Sequence, residues 1–301
     1  MDQLTWKARA KINLGLDVLR KRPDGYHDLR MVMQTIDLYD EILLRVTEPG
    51  TAGGGVHIQL CVEGGAGLVA ADTDNLAYRA AELLMKEFDI RQGLDIRLIK
   101  KIPVAAGLAG GSTDAAAVLN GVNRLFALGL GERELMERGV RIGADVPYCI
   151  MGGTALAEGI GERLTRLPSA PQAYVLLAKP PIQVSTKFVY SRLRLDGDGS
   201  NGIKHPDIDA QVKAIRDGAL YRMTELMGNV LETVTIPAFP VIGEIRGQMM
   251  RCGAIGAMMS GSGPTVFGLF DDPEKARAAC AELLKGELAG EVYLTNFYEP
   301  G

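Results

Sequence analysis

The chain has 301 residues, of which 47% are hydrophobic and 23% charged, a composition and length that fit a globular protein of two ordinary domains. A net charge of −4 provides no basic field for nucleic acid, and no apolar run reaches the length of a membrane-spanning helix. The four scattered cysteines predict free, mostly buried thiols in a reducing compartment. Together with an N-terminus that has no leader character, they predict a cytoplasmic protein.

The first half of the chain predicts strands followed by helices. Residues 4–46 alternate apolar and polar side chains around a turn at RPDG, and a further strand is predicted over 56–62. A helix over 75–88, a strand over 94–102 and helices over 113–126 and 132–142 follow. Antiparallel strands followed by helices predict an α+β domain at residues 1–165.

A second α+β domain is predicted at residues 166–301. Its predicted strands cover 173–178, 265–270 and 291–297, and its predicted helices cover 209–217, 221–227, 240–251 and 273–284. The polar segment 196–201 (DGDGSN) predicts a mobile loop.

The segment PVAAGLAGGSTDAAAVL carries the strongest functional signal. Ser112 occupies the predicted N-cap of a helix, with Asp114 in its first turn. A helix that follows a small-residue loop directs amides and the positive end of its dipole outward, which is typical of phosphate sites. Gly107, Gly110 and Gly111 are predicted to let a phosphate approach the backbone closely. The alternative is a tight strand-to-helix turn without a ligand.

Phosphoryl transfer needs a nucleotide site, a cation and a proton acceptor, and further residues are candidates for these roles. A second small-residue loop at 260–263 (SGSG) lies in the other predicted domain, and two such loops predict a nucleotide at a domain junction. The alternative for the second loop is an ordinary hairpin turn. Lys11 alternates with apolar neighbours and is predicted to point inward beside Asn13. Asp145, in GADVP, is a candidate proton acceptor. The alternative for Lys11 is a strand lysine whose ammonium group reaches solvent, and the alternative for Asp145 is a helix cap.

The quoted loop resembles the central motif of the GHMP kinases. Residues 10–40 (AKINLGLDVLRKRPDGYHDLRMVMQTIDLYD) are similar to the first motif of one branch, whose substrate is a cytidine-diphosphate-linked methylerythritol. GADVPYCIMGGTALAEGIGE and SGSGPTVFGLF match its remaining blocks, and residues 191–240 match least. The resemblance implies a two-domain α+β architecture, with an N-terminal ribosomal-protein-S5-domain-2-like ATP domain and a C-terminal ferredoxin-like domain.

The resemblance also implies an activity. It is the ATP-dependent phosphorylation of the 2-hydroxyl of the cytidine-diphosphate-linked methylerythritol, in the non-mevalonate route to isoprenoids, with ATP as its Mg²⁺ complex. Asp145 would be the general base, Lys11 would orient it and neutralise developing charge, and Asn13 would support the substrate. Metal ligands and oligomeric state are left unassigned. The implied ATP-binding residues are Ala106, Gly107, Leu108, Ala109, Gly110, Gly111, Ser112, Thr113, Asp114, Ala115 and Ala116.

The match places the cytosine site at three side chains. Tyr26 offers a flat face, His27 hydrogen-bonds the base edge, and Tyr190 supplies the second stacking ring. We prefer Tyr190 to Phe188 because it lies four residues past Thr186, as the family pattern requires. The alternative for both tyrosines is packing at a strand edge.

Three competing functions follow from the same residues. Another GHMP kinase, acting on mevalonate or homoserine, is disfavoured by DGYH and Tyr190, because those substrates carry no base. A non-catalytic nucleotide-binding protein is disfavoured by the joint presence of Lys11 and Asp145. A Rossmann oxidoreductase is disfavoured because no G-x-G-x-x-G opens the helix.

The central loop departs from the family pattern at three positions. Ala105, Ala106 and Ala109 stand where glycine is common. Alanine predicts negative φ at these positions.

Overall fold

The structure is a computed structural model that describes residues 2–49, 56–195 and 204–300. No helix within these ranges is long and apolar enough to cross a membrane. The loop predicted at 196–201 lies outside the described residues. The chain forms two compact units: the first comprises Met1–Ala10, Leu38–Val104 and Ala109–Met151, and the second comprises Lys11–Asp37, Ala105–Leu108 and Gly152–Gly301. The domain boundary at residue 165 stays a prediction.

Long strands begin the chain and helices dominate its middle. In chain order the elements are β1 (Gln3–Lys21), β2 (His27–Thr47), β3 (Ile58–Gly64), α1 (Leu76–Glu87), β4 (Gly93–Lys100), α2 (Gly110–Leu125), α3 (Glu132–Gly139), α4 (Val146–Met151), β5 (Thr154–Gly159), β6 (Arg163–Arg166), β7 (Tyr174–Lys179), α5 (Thr186–Arg192), α6 (Ile208–Arg216), α7 (Leu220–Glu225), β8 (Gly228–Asn229), α8 (Glu232–Ala238), α9 (Val241–Arg251), β9 (Gly256–Met259), β10 (Val266–Phe270), α10 (Pro273–Lys285) and β11 (Glu291–Asn296).

The first unit places helices against a sheet. β4 pairs antiparallel with residues 41–47 of β2 and parallel with β3. The prediction of antiparallel strands is wrong for β3, because α1 carries the chain back so that β4 runs in the same direction. The side chain of Asn75 caps α1 by accepting the N–H of Ala77, which confirms the predicted helix start. Leu44, Leu84 and Val118 are fully buried in the core of this unit.

The second unit contains a four-stranded antiparallel sheet in the order β11–β7–β10–β9. The helices α9 and α10 contact its strands. This β-α-β-β-α-β succession, with α5 to α8 inserted after β7, is the predicted ferredoxin-like arrangement. In the same unit, residues 29–34 of β2 pair with β5, and β5 pairs with β6.

Sequence analysis missed the short elements α4, β5, β6, α5 and α8. Each has seven residues or fewer, a length at which a periodic pattern is only a weak signal. The missed signal for α5 is Ser185, which accepts the N–H of Phe188 as an N-cap. The four cysteines are free, as predicted, but Cys61 is exposed and the other three are half-buried. Cys61 is exposed because it lies on the same face of β3 as the exposed Gln59, whereas Leu60 and Val62 lie on the other face.

Candidate active site

The helix α2 begins earlier than predicted and without a side-chain cap. Its first residue is Gly110, and Ala109 occupies the N-cap with φ 58° and no capping side chain. Ser112 therefore lies inside the first turn, so its prediction as the N-cap is wrong. Because an alanine cannot cap, the first-turn amides of α2 are suited to an anionic ligand.

Two alanines of the loop adopt left-handed backbone conformations. Ala105 has φ 51° and Ala109 has φ 58°, so the prediction of negative φ is wrong at both positions. A residue with a Cβ loses about 1–2 kcal/mol in this region. Such conformations persist where the surrounding structure fixes them, typically at ligand sites.

The two predicted small-residue loops meet at Gly107 in the second unit. Ser260 Oγ donates to the carbonyl of Gly107 at 3.0 Å. A Cβ on Gly107 would lie 2.2 Å from the backbone oxygen of Ser260. Gly107 is therefore required for close packing against the second loop, a different reason from the predicted approach of a phosphate. Residues 260–263 are all buried, so the second loop packs against the first loop at Gly107 instead of facing solvent.

Replacing Gly107 with Ala is expected to destabilise the protein strongly. The matched control is Gly129→Ala, because Gly107 and Gly129 have φ 74° and 73° but a Cβ on Gly129 meets nothing within 4 Å. The control should lose only about 1–2 kcal/mol of unfolding free energy, the cost of backbone strain. The Gly107 variant should lose more, because its Cβ also forces the Ser260 backbone away. Urea unfolding of both variants measures the difference. Equal losses of unfolding free energy would show that the two loops do not pack as described.

Gly110 makes room for a buried ion cluster in the first unit. A Cβ on Gly110 would lie 3.3 Å from Nζ of Lys100, so protein atoms crowd one side of this glycine, and the predicted approach of a phosphate to it stays a prediction. Lys100 donates to Asp114 Oδ2 at 2.7 Å and also to Asp40. Burial raises the pKa of Asp114 to about 8 although Lys100 opposes the shift.

Lys11 lies beside the loop in the second unit. Its side chain is buried, as predicted, and Nζ donates to Asn13 Oδ1 at 2.9 Å. Its backbone N–H donates to the carbonyl of Leu108 at 3.2 Å. A buried ammonium group next to the loop is suited to neutralise charge on a bound phosphate.

Asp145 belongs to the first unit and directly precedes α4. Its carbonyl accepts the N–H of Cys149 at 3.0 Å, so its backbone takes part in the first turn of that helix. Tyr148, in the same turn, is 1% exposed, and this packing fixes the local backbone that presents the carboxylate.

Of the three residues predicted to bind the base, His27 and Tyr190 contact each other and Tyr26 is exposed. His27 and Tyr190 contact each other, with ring centroids 5.0 Å apart and planes tilted by 38°. Tyr26 is 59% exposed. Burial and the charge of Lys21 lower the pKa of His27, so its ring is neutral at pH 7 and able to donate or accept a hydrogen bond. Phe188 instead packs against Phe239, with centroids 6.1 Å apart.

Sequence reasoning missed the connection between the second loop and the aromatic pair. Ser262 Oγ and Thr186 Oγ1 share a hydrogen bond of 2.9 Å. Thr186 is the first residue of α5, the helix that carries Tyr190. The second loop therefore contacts both Gly107 and the aromatic helix. Small residues such as those in SGSG give no sequence signal of which partners they contact.

Comparisons with known proteins identify the family of this chain. Residues 75–153 match the model of the GHMP kinases N terminal domain, and residues 211–287 match that of the GHMP kinases C terminal. A 4-diphosphocytidyl-2-C-methyl-D-erythritol kinase of Lachnospira eligens is 51% identical over 303 residues, covering 100% of both chains. The enzyme of the same name from Lachnoclostridium phytofermentans is 48% identical and covers 99% of each chain.

Solved structures show the same similarity. A crystal structure of 4-(cytidine 5'-diphospho)-2C-methyl-D-erythritol kinase has a TM-score of 0.81 and 33% identity, covering 99% of this chain and 100% of that one. A homoserine kinase from Cytophaga hutchinsonii has a TM-score of 0.77 and 22% identity, covering 98% and 95%. At that identity the second structure supports the fold alone.

Proposed function

This chain belongs to the GHMP kinase family, and from that premise we propose that it transfers the γ-phosphoryl group of ATP to the 2-hydroxyl of 4-diphosphocytidyl-2-C-methyl-D-erythritol. The observation that carries the choice of substrate is the contact between His27 and Tyr190. A cytosine stacked on Tyr190 would present its edge to the neutral imidazole of His27. Mevalonate and homoserine offer no ring for this pair to bind.

The proposed phosphate site is the loop that leads into α2. Residues 106–116 would bind ATP through the uncapped amides at Gly110 to Ser112 and the positive end of the helix dipole. Mg²⁺ would arrive with ATP, because phosphate oxygens are the ligands that it prefers. The backbone contact between Lys11 and Leu108 supports a position for the ammonium group close to the bound phosphates.

In the proposed reaction the 2-hydroxyl oxygen attacks the γ-phosphorus. A new O–P bond forms, the bond from phosphorus to the ADP oxygen breaks, and Asp145 accepts the hydroxyl proton. Lys11 would stabilise the charge that develops. Asn13 is 1% exposed and accepts a hydrogen bond from Lys11, so it would hold the lysine side chain in place and support the alcohol. We place this reaction in the cytoplasm, because free cysteines fit a reducing compartment.

An ADP-release assay with a panel of alcohols tests the proposal. The cytidine-diphosphate-linked methylerythritol should react, and the free methylerythritol, mevalonate and homoserine should not. Turnover of mevalonate or homoserine at a comparable kcat/KM would replace the proposed substrate with one that lacks a base.

Replacing Tyr190 with Ala is expected to raise KM for the cytidine-linked alcohol by about ten-fold or more, because stacking of one base on an aromatic ring contributes about 1–3 kcal/mol. The KM for ATP should stay unchanged. Phe188→Ala is the matched control, since Phe188 lies in the same helix but contacts Phe239 rather than His27. Steady-state kinetics with each substrate varied in turn gives both constants. Equal increases in the two KM values would remove Tyr190 from the base site.

A further inference from the structure

Three ionisable side chains are buried together next to the two ends of the loop of residues 101–109. The side chains of Asp40, Lys100 and Asp114 are 0%, 3% and 3% exposed. They come from β2, β4 and α2 of the first unit. One ammonium group thus bridges two carboxyl groups away from water. Burial acts to lower the pKa of Lys100, but Asp114 and Asp40 outweigh it and raise that pKa, so the bridge keeps its positive charge.

The cluster holds both ends of the loop. Asp40 Oδ1 accepts the backbone N–H of Lys101 at 2.5 Å and that of Ile102 at 2.8 Å, and these are the residues at which the loop begins. Lys100 then links Asp40 to Asp114 in the second turn of α2, beyond the end of the loop. The loop entrance and the helix start are therefore joined through side chains as well as through the backbone.

Stability alone does not account for this arrangement. A buried ion pair contributes little net stability compared with apolar side chains of the same volume. Asp114 Oδ1 is buried without a hydrogen-bond partner among the described residues, and this lost hydration further lowers the free energy of unfolding. Meanwhile the loop between the two anchored ends contains Ala105 and Ala109 at φ 51° and 58°. A strained loop keeps its conformation only when its surroundings fix it.

We propose that Asp40, Lys100 and Asp114 form a clamp that holds this loop in the strained conformation that receives the nucleotide phosphates. The three act as positioning residues. The proposal rests on the proposed function only in that the loop binds ATP. Releasing the clamp lets the two alanines relax, so the loop must be reordered each time ATP binds, and affinity for ATP falls.

The test uses Asp40→Asn, which removes one charge from the clamp with almost no change in volume. We expect the Kd for Mg·ATP, measured by calorimetric titration without the alcohol, to rise about ten-fold. Glu41→Gln is the matched control, because Glu41 is the next residue and forms an exposed ion pair with Lys101; its Kd should equal that of the unaltered protein. Lys100→Gln breaks the same link at its centre and should give the same increase, so a variant that fails to fold does not end the test.

A second substitution separates positioning from a merely structural role. Glycine adopts positive φ without strain, so Ala105→Gly in the Asp40→Asn background should recover most of the lost ATP affinity. The same substitution in the unaltered protein should change affinity less. An unchanged Kd in Asp40→Asn, or a loss that Ala105→Gly does not recover, would overturn the clamp. Because the readout is ATP binding, failure of the alcohol to react would reject the proposed function and leave the clamp in place.

Discussion

Replacing Asp145 with Asn is expected to lower kcat by about 10²–10⁴-fold, the contribution typical of a general base. The dissociation constants for ATP and for the cytidine-linked alcohol should change by no more than a few-fold. Asn has nearly the same shape as Asp, and the backbone of residue 145 takes part in the first turn of α4 through the Cys149 N–H. The fold should therefore survive while the proton acceptor is lost. Steady-state ADP release gives kcat, and equilibrium titration gives the two affinities.

The control for this experiment is Asp89→Asn. Asp89 is an exposed carboxylate in the same unit, paired with Arg91, and its loss should leave kcat unaltered. If Asp145→Asn keeps a kcat within three-fold of that of the unaltered protein, Asp145 is not the base.

Replacing Lys11 with Met is expected to lower kcat by about 10²–10³-fold, the effect of removing one preorganised group that stabilises developing charge. The lysine is 5% exposed and donates to Asn13 Oδ1, so its charge acts in a site with little water, where electrostatic stabilisation is strong. The same substitution at Lys7 is the control. Lys7 lies four residues earlier in β1, is exposed, and sits over the ring of Tyr39.

The two lysine variants are compared through kcat and KM. A loss at position 11 that appears mainly in kcat, with Lys7→Met unaffected, supports transition-state stabilisation. A loss that appears only as a higher KM for ATP would reduce Lys11 to a ground-state phosphate contact. Thermal unfolding of both variants checks that the difference is not a general loss of stability.

The sequence predicts the fold well where periodicity is strong. The alternation around Lys11 predicted an inward lysine in β1, and Asn75 with its apolar pattern predicted α1. The parallel pairing of β3 with β4 was not predicted, because strand periodicity does not reveal strand direction. The short elements α4 and α5 were missed for lack of length.

The candidate site depended more on resemblance than on pattern. His27 and Tyr190 are separated by 163 residues, and no local signal joins them. Lys100 continues the alternation of Leu94, Ile96 and Leu98 on the buried face of β4, but no local signal identifies Asp40 and Asp114 as its partners. The positive φ of Ala105 and Ala109 also runs against the local preference of alanine and follows from tertiary contacts.

The central claim is that ATP phosphates bind at residues 107–112 and that the alcohol reaches the γ-phosphorus beside Asp145. The most direct measurement is a crystal structure with a non-hydrolysable ATP analogue and the cytidine-linked alcohol. We predict phosphate density against the amides of Gly110 to Ser112, with the 2-hydroxyl within hydrogen-bond reach of the Asp145 carboxylate. A γ-phosphate bound away from this loop, or a 2-hydroxyl out of reach of Asp145, would contradict it.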